Sequence, residues 1–472
     1  MPPIRFGTDG WRGVIAEDFT FANVERVAQA TADCWASETA RGRERLAVVG
    51  YDTRFLSGPF AARTAEVFAG NAFRVVLTSA PTPTPAVSLA VKQLHAAGGV
   101  MITASHNPPE FNGFKLKAWF GGSADATICH GVESWLDRTS VRRLPLAEAR
   151  RQGTVTLKDL RPAHYRAIRR LVDFERVAES GLRVAHDAMF GVGAGCFAAL
   201  LAGTTCRVTT FRGERDPLFG GIRPEPIPKF YAATSEFLRR HRHDVCLVSD
   251  GDADRLGGLD ERGAPLTAHQ VVALVLWHLV VNRRQRGTVV KSLNTTSLVD
   301  QICAAHDLPL RVTPIGFKHI SAEMRRPGVL VGLEESGSLG FPAHLPERDG
   351  LAAGLLLLEL LASERQPLSR VLRRLEREFG PHRYARLDLP FPAERRAHLM
   401  AACAATPPAR LGRSPVVEVH TFDGVKYVAR DGSWLMLRGS GTEPLVRVYA
   451  EAASQTAAER LVQAGARRLR SL

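Results

Sequence analysis

Short apolar runs alternate with helix-length segments through most of this chain, and that rhythm confines it to a layered α/β architecture. Residues 46–50, 74–78 and 99–103 read as strands, with a helical segment starting after Ser57 and another before 99. A second series has strands at 182–187 and 245–249. A third has a helix at 268–282, a strand at 288–292 and a helix at 350–362. The last segment differs. Asp-Gly turns at 423–424 and 431–432 separate strand-like runs, as in a hairpin, and a basic amphipathic helix follows at 456–471. The stretch 137–151 reads as a connection and 379–386 as a linker. At 472 residues the chain is too long for one core. The expected divisions give domains 1–145, 146–255, 256–372 and 373–472.

Apolar content of 45% and charged content of 23% are ordinary for a globular protein. The net charge of +14 favours an anionic partner. Lys and Arg are spread along the chain, and no RNA-module signature or zinc-finger spacing accompanies them. A phosphate-bearing small molecule uses this charge better than a nucleic acid does. Seven scattered cysteines, none in a C-x-x-C pair, argue against disulfides or zinc and fit a reducing compartment. The first residues hold no apolar signal core, and the runs at 271–281 and 351–362 are too short for a bilayer. The expectation is a cytoplasmic protein with no membrane or nucleic-acid partner.

Residues 101–117 carry the first chemical signal. Ser105, His106 and Asn107 follow the apolar run 99–102, and Pro108-Pro109, Asn112-Gly113 and Lys115 come next. The Pro and Gly residues exclude regular helix or strand after 103. A strand ending in a rigid turn holds a hydroxyl in the open, as a nucleophile or phosphate carrier requires. Serines in Pro-rich turns are also common without chemistry. A serine hydrolase or phosphatase is a rival reading, but the G-x-S-x-G elbow is missing.

Ser249-Asp-Gly-Asp-Ala-Asp-Arg255 follows an apolar strand. In extended backbone Asp250, Asp252 and Asp254 point the same way. Three converging carboxylates repel unless a cation joins them, and oxygen ligands select Mg²⁺ or Ca²⁺. An EF-hand fails, because Arg255 stands at the position that needs glycine. Mg²⁺ is favoured because it works with few carboxylates plus a phosphate oxygen. A solvated Asp-Gly turn is the plain alternative.

Two further loops are polar and Gly-rich. In Gly332–Gly340, Glu334 and Ser336 offer a carboxylate and a hydroxyl that suit neighbouring sugar hydroxyls. In Arg438-Gly-Ser-Gly-Thr-Glu-Pro-Leu-Val-Arg447, two arginines, Ser440, Thr442 and open backbone N–H groups can cradle an anion. Gly191-Val-Gly-Ala-Gly195 departs from the dinucleotide fingerprint and reads as a tight turn before a helix.

These loops, in this order, resemble the α-D-phosphohexomutase superfamily, which includes phosphoglucomutases and phosphomannomutases. Phe6-Gly-Thr-Asp-Gly-Trp-Arg-Gly13, Gly50-Tyr-Asp-Thr-Arg54 with Ser57, and Pro81-Thr-Pro-Thr-Pro85 are similar to further motifs of that family. The resemblance spans essentially the whole chain. It implies four domains around a central cleft, three similar mixed α/β units and a smaller C-terminal sheet-and-helix domain. It implies that Ser105 is the phosphoserine and that Asp250, Asp252 and Asp254 hold Mg²⁺ together with its phosphate. Arg12, His106, Lys115 and Arg255 would line the transfer site, with Lys115 and His106 the two candidates for moving the hydroxyl proton. Glu334 and Ser336 would grip sugar hydroxyls, and Lys318 would sit in a substrate-contacting loop. Arg438, Ser440, Gly441, Thr442 and Arg447 would bind the phosphate that is not transferred.

The implied activity interconverts hexose 1-phosphate and hexose 6-phosphate through a hexose 1,6-bisphosphate. The Glu-Glu-Ser loop looks more like that of glucose-type enzymes than that of phosphoglucosamine mutases, so glucose is the favoured sugar with mannose and glucosamine as alternatives, and the enzyme would be a monomer or homodimer. Leu333 and Gly439 depart from the common Gly and Pro of the family pattern.

Overall fold

The computed structural model describes residues 4–7, 9–39, 44–440 and 444–471. Four sheets follow one another along the chain. The first three share one four-strand plan. In the first sheet, Glu44–Tyr51, Arg74–Thr78 and Ala96–Ile102 are parallel, and Phe111–Ala118 runs antiparallel beside Ala96–Ile102. In the second, Arg183–Asp187, Arg207–Phe211 and Val245–Ser249 are parallel, with Leu256–Leu259 antiparallel beside the third of them. In the third, Thr288–Ser292, Leu310–Thr313, Val329–Glu334 and Ser338–Gly340 repeat the arrangement. The last parallel strand and the antiparallel strand that follows it are sequence neighbours in every case. The turns joining them are 103–110, 250–255 and 335–337. The three polar loops singled out in the sequence are therefore the same turn of the same plan, used three times.

The sheets run past the expected divisions at 145 and 255. Val155–Lys158 joins the first sheet beside Arg74–Thr78, and Pro265–Leu266 extends the second beside Leu256–Leu259. The helix Leu368–Phe379 buries Leu368, Val371 and Leu375 in the core shared by the second and third domains, so that layer continues beyond 372. The helix Gly350–Glu364 is apolar on all sides and lies between those two domains, which explains its composition. The Gly191–Gly195 stretch is a turn into the short helix Cys196–Leu200.

Three local expectations need correction. The segment 268–282 is an α-helix only over Ala268–Trp277 and then widens into π turns over His278–Asn282. Asn112 and Gly113 lie inside a strand, because only the prolines break the backbone pattern and they stop at 109. The segment 379–386 is not a linker throughout. Arg383–Pro390 is the edge strand of the fourth sheet and pairs antiparallel with Leu445–Ala452. Its period of two, with Ala385, Leu387 and Leu389 turned inward, suits an edge strand. That fourth sheet is wholly antiparallel and carries the helices Arg396–Ala405 and Gln455–Ser471. Among the described residues, no helix is long and apolar enough to cross a membrane.

Candidate active site

Ser105 follows the strand Ala96–Ile102 with a left-handed backbone, φ +55°. Non-glycine residues rarely adopt this conformation, and it costs on the order of 1 kcal/mol. The surroundings hold it there. Thr103 Oγ1 accepts the Ser105 N–H at 2.8 Å. The buried Arg54 guanidinium donates to the carbonyls of Ser105, Asn107, Pro108 and Phe111 over 2.6–2.9 Å. Arg54 in turn lies 3.2 Å from the buried carboxylate of Asp52.

The hydroxyl is not in the open, as the turn alone suggested. Ser105 is fully buried, because the 250–255 turn of the second domain folds over it. Gly251 makes this approach possible: a Cβ there would stand 2.5 Å from the Ser105 carbonyl oxygen.

Across this contact Ser105 Oγ donates to Asp250 Oδ2 at 3.0 Å. The other Asp250 oxygen accepts the backbone N–H groups of Asp254 and Arg255 at 3.0 and 3.1 Å. The aspartates do converge, with one oxygen each inside a 4.8 Å cluster. The route differs from the extended run expected. Ala253 is left-handed at φ +58°, and a turn rather than a strand aims the side chains together.

Lys115 reaches the same point from the adjoining strand. Its Nζ lies 2.8 Å from Asp252 and from Asp9, and 3.1 Å from Asp254. Burial opposes its charge, but Asp252, Asp254 and Asp9 outweigh burial and hold the ammonium pKa above the usual range. Burial and the repulsion of Asp252 and Asp254 push the Asp250 carboxyl well up. Burial opposes ionisation of Asp252 too, yet Lys115 and Thr84 hold it below the usual range.

His106 Nδ1 is 3.4 Å from Ser105 Oγ. Dehydration first, then the cations Arg255, Arg12, Lys115 and Arg348, hold this imidazole well below its ordinary value, so it is neutral. Arg12 donates to Asn107 Oδ1 at 2.7 Å, and Arg255 Nε is 4.0 Å from Asp254. Ser105, His106, Lys115, Arg12, Arg255 and the three aspartates thus form one group.

The donor set fits a hard dication. Asp252 Oδ1 and Asp254 Oδ1 are buried without a hydrogen-bond partner among the described residues, beside oxygens of the same cluster.

In the third domain, Ser336 Oγ donates to Glu334 Oε2 at 2.8 Å. Lys318 is the second residue of the helix Phe317–Met324. Burial first, then Lys318, hold the neighbouring His319 below the ordinary histidine value. Asp423 and Glu334 oppose this, and Arg438 adds to it.

Arg438 and Arg447 face each other across two antiparallel strands. Asp423 accepts from Arg438 Nε at 2.8 Å with one oxygen and from the Ile315 N–H at 2.6 Å with the other, tying this region to the third domain. Ser440 is buried, its N–H bonded to Leu445 and its carbonyl to Arg396. Gly441 and Thr442 lie outside the described residues.

Arg54, Asp9, Arg348 and Asp423 were not assigned roles from the sequence. Arg348 bonds Asp254 at 2.7 Å and also pairs with Asp9. Arg54 and Asp9 did fall within two of the quoted motifs.

Four family models match the chain in order. Phosphoglucomutase/phosphomannomutase α/β/α domain I covers residues 3–142, domain II 162–263, domain III 267–379 and the C-terminal domain 392–467. A probable phosphoglucosamine mutase of Methanothermobacter thermautotrophicus is 30% identical, over 95% of this chain and 94% of its own. A phosphoglucomutase/phosphomannomutase of Thermococcus kodakarensis is 28% identical, over 98% of this chain and 97% of its own. The crystal structure of a putative phosphomannomutase from Thermus thermophilus superposes with a TM-score of 0.87 at 36% identity, covering 100% and 99% of the two chains. The chain belongs to the phosphoglucomutase/phosphomannomutase family within the α-D-phosphohexomutase superfamily and is an isomerase of that type.

Proposed function

We propose that this chain moves a phosphoryl group between O1 and O6 of a hexose, with glucose favoured, through a phosphoserine at Ser105 and a hexose 1,6-bisphosphate. The observation that carries the reading is the 3.0 Å contact between Ser105 Oγ and an aspartate of the acidic turn. Asp250, Asp252, Asp254 and a phosphate on Ser105 would together hold Mg²⁺. When bound, Mg²⁺ neutralises charge on the transferring phosphoryl group, the main requirement of this chemistry.

The protein groups do the rest. As Ser105 takes a phosphoryl group, its hydroxyl proton passes through neutral His106 to the departing sugar oxygen, the Oγ–P bond forms and the P–O bond to the sugar breaks. In the opposite transfer the attacking sugar hydroxyl gives up its proton, which His106 delivers to Oγ as the phosphoryl group leaves. Lys115 remains an ammonium, and with Arg12 and Arg255 it balances the phosphoryl oxygens. Glu334 and Ser336 hold sugar hydroxyls, and Lys318 contacts the substrate beside them. Arg438, Ser440 and Arg447, with Gly441 and Thr442, hold the phosphate at the far end. A bisphosphate that turns over in the cleft presents either phosphate to this fixed clasp.

The test is the intact mass of the purified protein with its turnover. A species heavier by one phosphate is expected, and Ser105→Ala should lose both that species and mutase activity. Retention of full activity by Ser105→Ala would sink the mechanism.

A second reading, the same chemistry on glucosamine phosphate, is favoured by the name of the Methanothermobacter relative. Glucose, mannose and glucosamine 1-phosphates assayed with Mg²⁺ and a trace of the matching bisphosphate separate the two by kcat/KM.

A further inference from the structure

Four consecutive residues, Glu347-Arg348-Asp349-Gly350, are each fastened to a different part of the molecule. Glu347 accepts from Lys117 and from Ser123 at 2.8 Å, both in the first domain. Arg348 pairs with Asp9 of the first domain and with Asp254 of the acidic turn. Asp349 Oδ2 accepts from His164 Nε2 at 2.6 Å and His344 Nε2 at 3.1 Å. Its Oδ1 caps the helix Gly350–Glu364 through the N–H groups of Leu351 and Ala352. Gly350 lies against the acidic turn itself, where a Cβ would stand 2.4 Å from the Arg255 carbonyl oxygen.

All four residues are buried, as are His164 and His344. His164 belongs to the helix Arg161–Arg169, an element outside the acidic turn and the serine loop. Its ring lies near-parallel to that of His344, with centroids 5.8 Å apart.

The two imidazoles and Asp349 also converge closely enough to suggest a metal site. Hydrogen bonding accounts for them better. The carboxylate already accepts four bonds, and His164 Nδ1 has no partner among the described residues to orient it as a ligand.

We propose that Glu347–Gly350 is a keystone that sets where Asp254 stands relative to Ser105, and that His164 and His344 position it through Asp349. Neither histidine touches a reacting atom in this arrangement; both are positioning residues. A helix of the second domain thereby fixes a third-domain arginine onto the second domain's own acidic turn. Loss of either imidazole leaves a buried carboxylate short of a donor, and the segment shifts to recover one. Arg348 follows by direct linkage, and the Asp254 oxygen moves within the cluster. The proposal rests on the reading of 250–255 as the dication site.

Mn²⁺ serves as the probe, its free concentration followed by electron paramagnetic resonance, with the thermal midpoint measured in parallel. His164→Leu should weaken Mn²⁺ binding roughly 10-fold, the lower end for residues that orient metal ligands. His164→Gln, which keeps a donor near the Nε2 position, should bind within about 3-fold of the parent. His344→Phe tests the second bond if His164→Leu does not fold. Normal Mn²⁺ binding by a folded His164→Leu or His344→Phe protein overturns the keystone. So does weakening by His164→Gln equal to that by His164→Leu. Asp252→Asn separates the two ideas: if it too binds Mn²⁺ normally, the dication reading itself has failed.

Discussion

The two ends of the proposed reaction zone are built in opposite ways. Around Ser105 the charged groups are buried and face opposite charges: Lys115 meets three aspartates, Arg348 meets two, and Arg54 meets Asp52. At the other end Arg438 and Arg447 are partly exposed, each within 4.0 Å of a carboxylate that is itself partly exposed. The first end comes from turns of three domains wedged together; the second lies on one antiparallel sheet. Under the proposed function, the difference follows from the task. The end where bonds change needs fixed charges shielded from water, which act more strongly there and need no reorganisation. The end that would grip a spectator phosphate would have to release and recapture it when the bisphosphate turns over, so solvent access serves it.

The sharpest way to break this contrast is at Arg54. Replacing it with Met removes four hydrogen bonds from the serine loop and leaves the Asp52 carboxylate buried without its cation. Breaking a buried pair in this way costs about 3–5 kcal/mol. Arg54→Met should lower the denaturation midpoint strongly and lose activity in step. A stability within about 0.5 kcal/mol of the parent, the range of an ordinary surface change, would mean that the closed end is not held by its buried charges.

The three chemical loops were legible in the sequence because each sets polar residues directly after an apolar strand. Their shared origin was not. The last-parallel-then-antiparallel strand pair recurs in three sheets, but strands encode burial rather than order, and the turns between them differ in side chains and in length. The groups that brace the serine corner were hidden for a different reason. Arg348 and Asp9 are 339 residues apart, so neither has a local sign of its partner. The strand Arg383–Pro390 did have such a sign, its alternation of two, but Gly380-Pro381 just before it and the charges within it read as a linker. The burial of Ser105 was invisible too, since it depends on a turn contributed by another domain.

The seam between the third and fourth domains offers the next test, through pH. His269 lies against Tyr384 of the fourth domain, its ring 4.3 Å from the tyrosine ring by centroids, and accepts the Thr296 N–H on Nδ1. Burial first pushes its pKa down to about 4; Glu451 opposes this, while Lys291, Lys426 and His382 add to it. The folded protein therefore keeps His269 neutral where an unfolded histidine, with a pKa of about 6.5, takes up a proton. Its stability contribution is complete above that value and is lost as pH falls toward 4. The loss amounts to at most about 3 kcal/mol. His269→Gln should flatten the fall of the denaturation midpoint between pH 6.5 and 4, whereas an unchanged slope would assign the acid sensitivity elsewhere.

The smallest effect on stability is expected at the open end, and it is the one that defines the contrast. Arg438 is braced by Asp423, but its removal leaves no buried charge stranded, because Asp423 is itself partly exposed and keeps its bond from the Ile315 N–H. Arg438→Met should therefore fold as the parent does, with a stability changed by no more than about 0.5 kcal/mol. It should lose one charge-assisted contact to a substrate phosphate, worth about 1.5–3 kcal/mol, and so raise KM roughly 10- to 100-fold. Because on the proposed reading the clasp would hold the spectator phosphate about equally before and after transfer, kcat should change far less than KM. If kcat falls as steeply as kcat/KM, the clasp contributes to the transition state itself, and the two ends do not divide the labour as their burial implies.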